Sequence, residues 1–279
     1  MYIPEDISLP FFAYGLFRPG QLAFFQLREL VSNVQPAQVP GKLLLRDGLP
    51  ILVLSQGQGR IEGALLTFLP EKAADAYDRI SEMEPDNHYR WKEEKIGGVS
   101  VNFLIGKSPG RGSVPFEETE WNGWNDPLFT AALDVVQETL DANQVFDWDM
   151  KPLFKLQMAY LLLWSSIERY VSLRYHLGDK VTEKVLHIAD EPAFARSLLL
   201  HVKDSRTIYR ADRPGKKEVL DPLSSKNAVN YYYQVRSNII HRGKGINRDY
   251  YLLRDSLAEL LPIFRDVLNA AEDEAKYSA

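Results

Sequence analysis

Residues 231–244 read YYYQVRSNIIHRGK, and the second half of the chain is interpreted outward from them. Arg236 and His241 stand five positions apart, with Asn238 between them, in a segment otherwise patterned as a packed helix. A guanidinium can grip a phosphate with two parallel hydrogen bonds. An imidazole can take and return a proton near neutral pH. Together they supply what phosphodiester cleavage without a metal requires. At about 100° per residue, Tyr232, Val235 and Ile239 share one side of the helix, and Gln234, Asn238 and His241 share the other. Arg236 lies beside Ile240, roughly 140° from His241. One straight helix therefore does not aim both groups at one point. Either Arg236 reaches around, or two copies of the helix meet and pool their side chains at a subunit seam. The alternative is structural: Arg236 pairs with a buried carboxylate, and His241 caps a helix C-terminus, where the dipole favours a cation.

The flanking sequence extends the helical pattern. LFKLQMAYLLLWSSIERYVSLRYH (153–176) has helical recurrence, with Glu168 and Arg169 embedded in it. Ser225 is placed to cap the segment that leads to Arg236, and Gly243 and Gly245 to stop it. A last helix is expected over about 249–272, with Leu252, Leu253, Leu257, Leu260, Leu261, Phe264 and Leu268 on one side and Pro262 kinking or restarting it. Residues 203–226, polar and rich in Lys, Arg and Pro, form a surface excursion and a candidate basic lip for RNA.

RSNIIHRGK after an aromatic YYYQV run resembles the Arg-x4-His motif of the HEPN superfamily (higher eukaryotes and prokaryotes nucleotide-binding domains). Many members of that superfamily are metal-independent endoribonucleases of toxin–antitoxin, antiviral and RNA-processing systems; others only bind nucleotides or a partner. The resemblance implies that Arg236 binds phosphate and His241 is catalytic. Ser237 occupies a position often held by Asn or Asp, with Asn238 next to it. It also implies that Glu168, the match to an acidic residue on the preceding long helix, orients Arg236 or a catalytic proton. The alternative for Glu168 is an ordinary ion pair or a solvated helix face.

The first half carries a second motif. In FFAYGLFRPG (11–20), an apolar strand runs into Gly15 and on through Arg18, Pro19 and Gly20 to a helix-like AFFQLREL. Backbone N–H groups in such a turn can cradle an anion. The stretch resembles the Tyr-Gly-Thr-Leu-x-x-Gly loop of the gamma-glutamylcyclotransferase (AIG2-like) fold, a small mixed barrel. Downstream, GRIEGALLTFL (59–69) looks like the strand before that family's helix, and Glu84 with Tyr89 reproduces its Glu-x4-Tyr element. The resemblance implies that Glu84 is a general acid/base. It places Tyr14, Gly15, Leu16, Phe17, Arg18 and Tyr89 at the substrate. Leu16 and Phe17 stand where the family has Ser or Thr and then Leu; Ser81 stands where it has Asp. Without the resemblance, Glu84 is a solvated carboxylate beside Glu82 and Asp86.

GKSPGRGSVP (106–115) has the composition of a linker or loop, and the acidic, aromatic FEETEWNGWNDP after it crosses the junction. Before it the pattern is strands and turns (KLLLRDGLPILVL, GGVSVNFLIG); after it there is little strand signal, and TAALDVVQETLDANQ (130–144) is helical. The expected fold class is α+β: a small mixed barrel of gamma-glutamylcyclotransferase type over 1–112, then an all-α HEPN-like bundle over 113–279.

With 279 residues, 45% of them hydrophobic and 25% charged, the chain is long enough for two cores. No cysteine is present, which removes disulfides, thiol catalysis and Cys-ligated zinc. The five histidines are scattered, so neither a metal site nor a cofactor is expected. No run approaches a membrane span, the start has no signal-peptide pattern, and a cytoplasmic location is expected. A net charge of −5 argues against a broad basic RNA surface and leaves room for a local one. The expectation is a homodimeric, metal-independent endoribonuclease, a toxin or phage-defence effector with RNA as substrate and an antitoxin or defence partner. Its barrel would sense or modify a small-molecule ligand. The rivals are a cyclotransferase-like enzyme using Glu84 with a helical dimerisation domain, and a non-catalytic nucleotide-binding module.

Overall fold

The computed structural model describes residues 1–55, 59–175, 186–211, 213, 215–241 and 246–277, leaving aside the side chains of 240, 241 and 246–248. The chain divides into two compact units, Met1–Asp126 with Glu272–Ala279, and Pro127–Ala271. Among the described residues no helix is long and apolar enough to cross a membrane.

The first unit is a nearly closed mixed barrel. Its strands are β1 (Phe11–Ala13), β2 (Val31–Arg46), β3 (Leu49–Leu54), β4 (Arg60–Phe68), β5 (Tyr89–Ile96), β6 (Val99–Gly106) and β7 (Val114–Phe116). They run in the order β3-β2-β4-β1-β6-β5, with β7 on β2. β1 pairs antiparallel with β4 and parallel with β6, and all three of its residues are buried. Asp47-Gly48 turns β2 into β3 with φ of 53° and 75°, the left-handed conformation that such a two-residue hairpin needs. Helix α1 (Ala73–Met83) follows β4 and buries Ala76, Tyr77 and Ile80.

The barrel closes through tyrosine hydroxyls. Tyr14 Oη donates to Leu104 O of β6 at 2.7 Å and accepts the Leu52 N–H of β3 at 3.4 Å. Tyr89 Oη donates to Pro50 O at 2.8 Å. At the same seam a Cβ on Gly106 would stand 2.3 Å from Ile51 Cγ2, so only glycine lets β6 come this close to β3.

Three local expectations differ from the structure. The helix-like AFFQLREL forms two 3₁₀ turns, Phe24–Gln26 and Arg28–Leu30. Leu22, Ala23, Phe24, Leu27 and Leu30 are all buried, a spacing that suits two tight turns pressed on the core. The 106–115 stretch is a loop inside the barrel, not a linker. Arg46 holds it by Lys107 O and Ser108 O at 3.3 and 2.7 Å, and β7 then pairs with Leu43–Leu45 of β2. The first unit therefore runs past 112. Trp121 and Trp124 are buried in it, with their indole N–H groups on Gly48 O and Gly20 O.

The second unit contains α2 (Ala131–Ala142), α3 (Lys151–Tyr175), α4 (Pro192–His201), α5 (Ser225–His241) and α6 (Ile246–Tyr277) as far as Ala271. Helix α6 runs through Pro262, and its expected stripe from Leu253 to Leu268 is buried. Ser224, not Ser225, caps α5: its Oγ accepts the Asn227 N–H at 3.4 Å. The unit is not all helical, because β8 (Arg206–Tyr209) and β9 (Lys217–Leu220) form an antiparallel hairpin. Ile208 and Leu220 face inward there, so a stretch of polar composition still carries the alternation of a half-buried sheet.

Tyr14→Phe keeps the ring and strips two seam hydrogen bonds. It is expected to lower the unfolding free energy by roughly 1–3 kcal/mol, seen as a lower urea midpoint with an unchanged slope. An unmoved midpoint would remove the seam from the account of barrel closure.

Candidate functional sites

Glu84 is the residue that ends α1; its own N–H still reaches back to Ile80 O at 3.0 Å. Its side chain is only 8% exposed, which overturns the solvated alternative. It lines a small cavity with Tyr14, Gly15, Leu16, Phe17 and Tyr89. Oε2 is buried with no hydrogen-bond partner among the described residues. Loss of hydration disfavours the charged form, and the carboxyl pKa is pushed up to about 8. The Tyr14 phenol is held far above its usual range, by burial first and by the charge of Glu84 second.

The cavity measures about 10 Å³. That is about the space of one water-sized sphere. Leu16 and Phe17, 4% and 2% exposed, fill the space beside the carboxyl. At this size the cavity does not hold a glutamyl group. Arg18, expected at the substrate, does not line this cavity. Its Nη1 lies 2.5 Å from Glu120 Oε1 and its Nη2 donates to Trp121 O at 3.3 Å, so the guanidinium clamps the 120–121 segment. His88, which no sequence pattern singles out, is buried beside Tyr89 with Nε2 3.2 Å from Asp47. Its partner lies at a hairpin turn distant in sequence, so no local motif could have revealed it.

The second site is built on two helices. Helix α3 carries Trp164 and Glu168 four residues apart, and α5 carries Tyr233 and Arg236 three apart, so each pair shares a helix face. Trp164 meets Tyr233 edge to face at 5.5 Å between ring centres. Arg236 Nη2 lies 3.4 Å from Glu168 Oε1, and its guanidinium stands 5.6 Å from the Tyr233 ring centre. Both side chains are about 30% exposed. Arg236 Nε and Glu168 Oε1 are buried without a hydrogen bond among the described residues. This is a loose contact at the edge of solvent, and Arg236 retains donors for an anion. Helix α5 ends at His241, whose side chain lies outside the described residues.

Asn238 does not join Arg236. Residues two apart on a helix face nearly opposite sides. The Asn238 amide donates to Tyr209 O at 2.8 Å and accepts the Ala211 N–H at 2.9 Å and the Gln234 amide at 2.8 Å. It anchors the β8–β9 hairpin to α5, with its oxygen accepting two bonds and its NH2 group donating one.

Burial of Glu84 has a sign for stability. The unfolded carboxyl titrates near 4.5 and the folded one near 8, so the folded state holds the extra proton in between and loses stability as pH rises through that window. Glu84→Gln, uncharged at every pH, is expected to melt with wild type at pH 5 and roughly 5 °C above it at pH 9. A gap that does not widen with pH would mean the carboxyl is solvated.

A crystal structure of an uncharacterised protein from Pyrococcus horikoshii is similar to part of this chain. The two are 21% identical over 40% of this chain and 89% of the other, with a TM-score of 0.32. No protein-family model and no curated protein matches the sequence.

Proposed function

We propose that the chain is a metal-independent endoribonuclease of HEPN type that works as a homodimer, with its barrel as a small-molecule sensing or modifying domain of gamma-glutamylcyclotransferase type. The observation that carries this reading is the Glu168–Arg236 contact: a cation with spare donors, held by the acid of the preceding long helix, on the helix that ends at His241. In the reaction His241 removes the proton of a ribose 2′-hydroxyl, or protonates the leaving 5′-oxygen. Arg236 neutralises the charge that builds on the pentavalent phosphate. Glu168 is a positioning residue that keeps the guanidinium aimed. The angular separation of positions 236 and 241 on one helix favours a site completed by a second copy. A cytoplasmic toxin or phage-defence effector, restrained by an antitoxin or defence partner, is the role this chemistry suits.

A second reading rests on Glu84. A neutral, partnerless carboxyl under a Gly15 loop suits proton transfer while a substrate amine attacks its own side-chain amide. The helical unit then serves dimerisation.

Labelled RNA incubated in EDTA separates the readings. Under the ribonuclease reading wild type cleaves, and His241→Ala and Arg236→Ala each lose at least about 100-fold. If His241→Ala cleaves like wild type, the ribonuclease reading fails. If Glu84→Gln alone abolishes turnover of a gamma-glutamyl amine, the second reading replaces it. If neither mutant changes any turnover, the chain is a nucleotide-binding module.

A further inference from the structure

The β8–β9 hairpin lies within the stretch whose composition suggests a basic lip for RNA, and its two faces differ in chemistry. Alternation along β8 turns Ile208 inward, 6% exposed, and leaves Thr207 and Tyr209 outward. Tyr209 is 50% exposed. Its cross-strand neighbour in the register is Lys217, itself exposed. Side chains paired this way stand about 5 Å apart at Cβ on one face of the sheet. The acidic residue of β9, Glu218, pairs with Ile208 and so falls on the other face. Lys216 and Lys203 are exposed close by in the chain, and Asp204 precedes the strand. The Arg210 N–H donates to Lys216 O at 3.0 Å, which ties the tip of the hairpin and leaves Lys217 as the lysine on the face of Tyr209.

Beside Tyr209 the hairpin is fastened to α5 by a side chain of the helix. Asn238 holds Tyr209 O and Ala211 N–H with one amide, one helical turn before position 241. The carbonyl it holds belongs to the exposed tyrosine itself. Tyr209 is thus set, through its own backbone, against the helix end on which the proposed chemistry depends.

We propose that this hairpin grips single-stranded RNA for the nuclease, with Tyr209 stacking on an unpaired base and Lys217, across from it on the same face, holding the adjoining phosphate. The inference rests on the ribonuclease reading for the cleavage step alone, and binding stands independently of it. An exposed aromatic ring beside a lysine is the chemistry of sequence-tolerant single-strand binding, because every base has a stacking face and every nucleotide a phosphate. A duplex offers no free base face to Tyr209. In a chain of net charge −5, a lysine-bearing face with its acid turned away is where a polyanion can settle.

The test is fluorescence anisotropy of a labelled single-stranded oligoribonucleotide with the full chain in EDTA, with cleavage followed in parallel. Tyr209→Ala is expected to raise Kd at least about 5-fold, and Tyr209→Trp to retain affinity. Lys217→Ala is expected to weaken binding and reduce the salt dependence of Kd by roughly one phosphate contact. Tyr209 and Lys217 are exposed, so these changes leave the fold intact. Unchanged Kd and salt slope in both variants overturn the proposal. So does a wild type that binds duplex RNA as well as single strands, or no RNA at all. If Tyr209→Ala binds weakly while His241→Ala still cleaves, the grip stands and the ribonuclease reading falls. If His241→Ala is inert and Tyr209→Ala binds normally, the grip falls and the ribonuclease reading stands.

Discussion

A polar group removed from water has to find a partner inside the chain, and the barrel is closed by meeting that demand. The Tyr14 hydroxyl enters the core between β3 and β6, where it satisfies one carbonyl and one N–H that the strands leave unpaired. Tyr89 does the same for Pro50 O, a carbonyl beside a residue that has no N–H to offer the sheet. The tyrosines that bracket the Glu84 cavity are therefore seam residues first. Their rings wall the cavity, and their hydroxyls are occupied elsewhere. Glu84 is left as the polar group at that place with an oxygen unmatched.

The same rule divides α5. Arg236 turns toward α3 and meets Glu168, whereas Asn238, two residues on, turns toward the hairpin and bonds its backbone there. A helix cannot point residues two apart at one ligand. Its sides are given to different tasks: one keeps a cation loosely paired at the surface, the other fixes a β-structure to the helix. A tight pair would hold Arg236 as a structural ion pair. A contact of 3.4 Å with roughly a third of each side chain exposed holds it less firmly than that.

Much of the architecture was legible because it rests on local signals. FFA became β1, the Asp-Gly pair became the β2–β3 turn, and the leucine recurrence after residue 249 became the buried face of α6. The Glu168–Arg236 pair comes from placing a resemblance on two helical patterns. The hidden features depend on partners distant in sequence. Nothing near Arg18 shows that Glu120 and Trp121 will take it. Nothing in GKSPGRGSVP shows that Arg46 will tie it down. The hairpin is hidden because its strands are four residues each and inward only at Ile208 and Leu220, too short for alternation to stand out among lysines and arginines. Asn238 departs from expectation for a related reason: its spacing from Arg236 and His241 suggests a shared ligand, while its amide has a closer claim from the strand packed beside it.

Burial of Glu84 carries its own argument about the barrel. A carboxyl confined to a cavity the size of one water costs the folded state more as pH rises, and a Gln of the same shape would remove that cost. Fold stability alone does not favour the acid at this position. Places where local chemistry works against stability are where function is to be sought. Leu16 and Phe17 wall that cavity on the turn after Tyr14, whose hydroxyl is pinned in the seam. The turn is tied by its own backbone, from Arg18 N–H to Gly15 O and from Ala23 N–H to Leu16 O. At Gly15 a Cβ would press on the Pro50 ring at 3.1 Å, so the absence of a side chain is what lets the turn lie this close to β3 above the carboxyl.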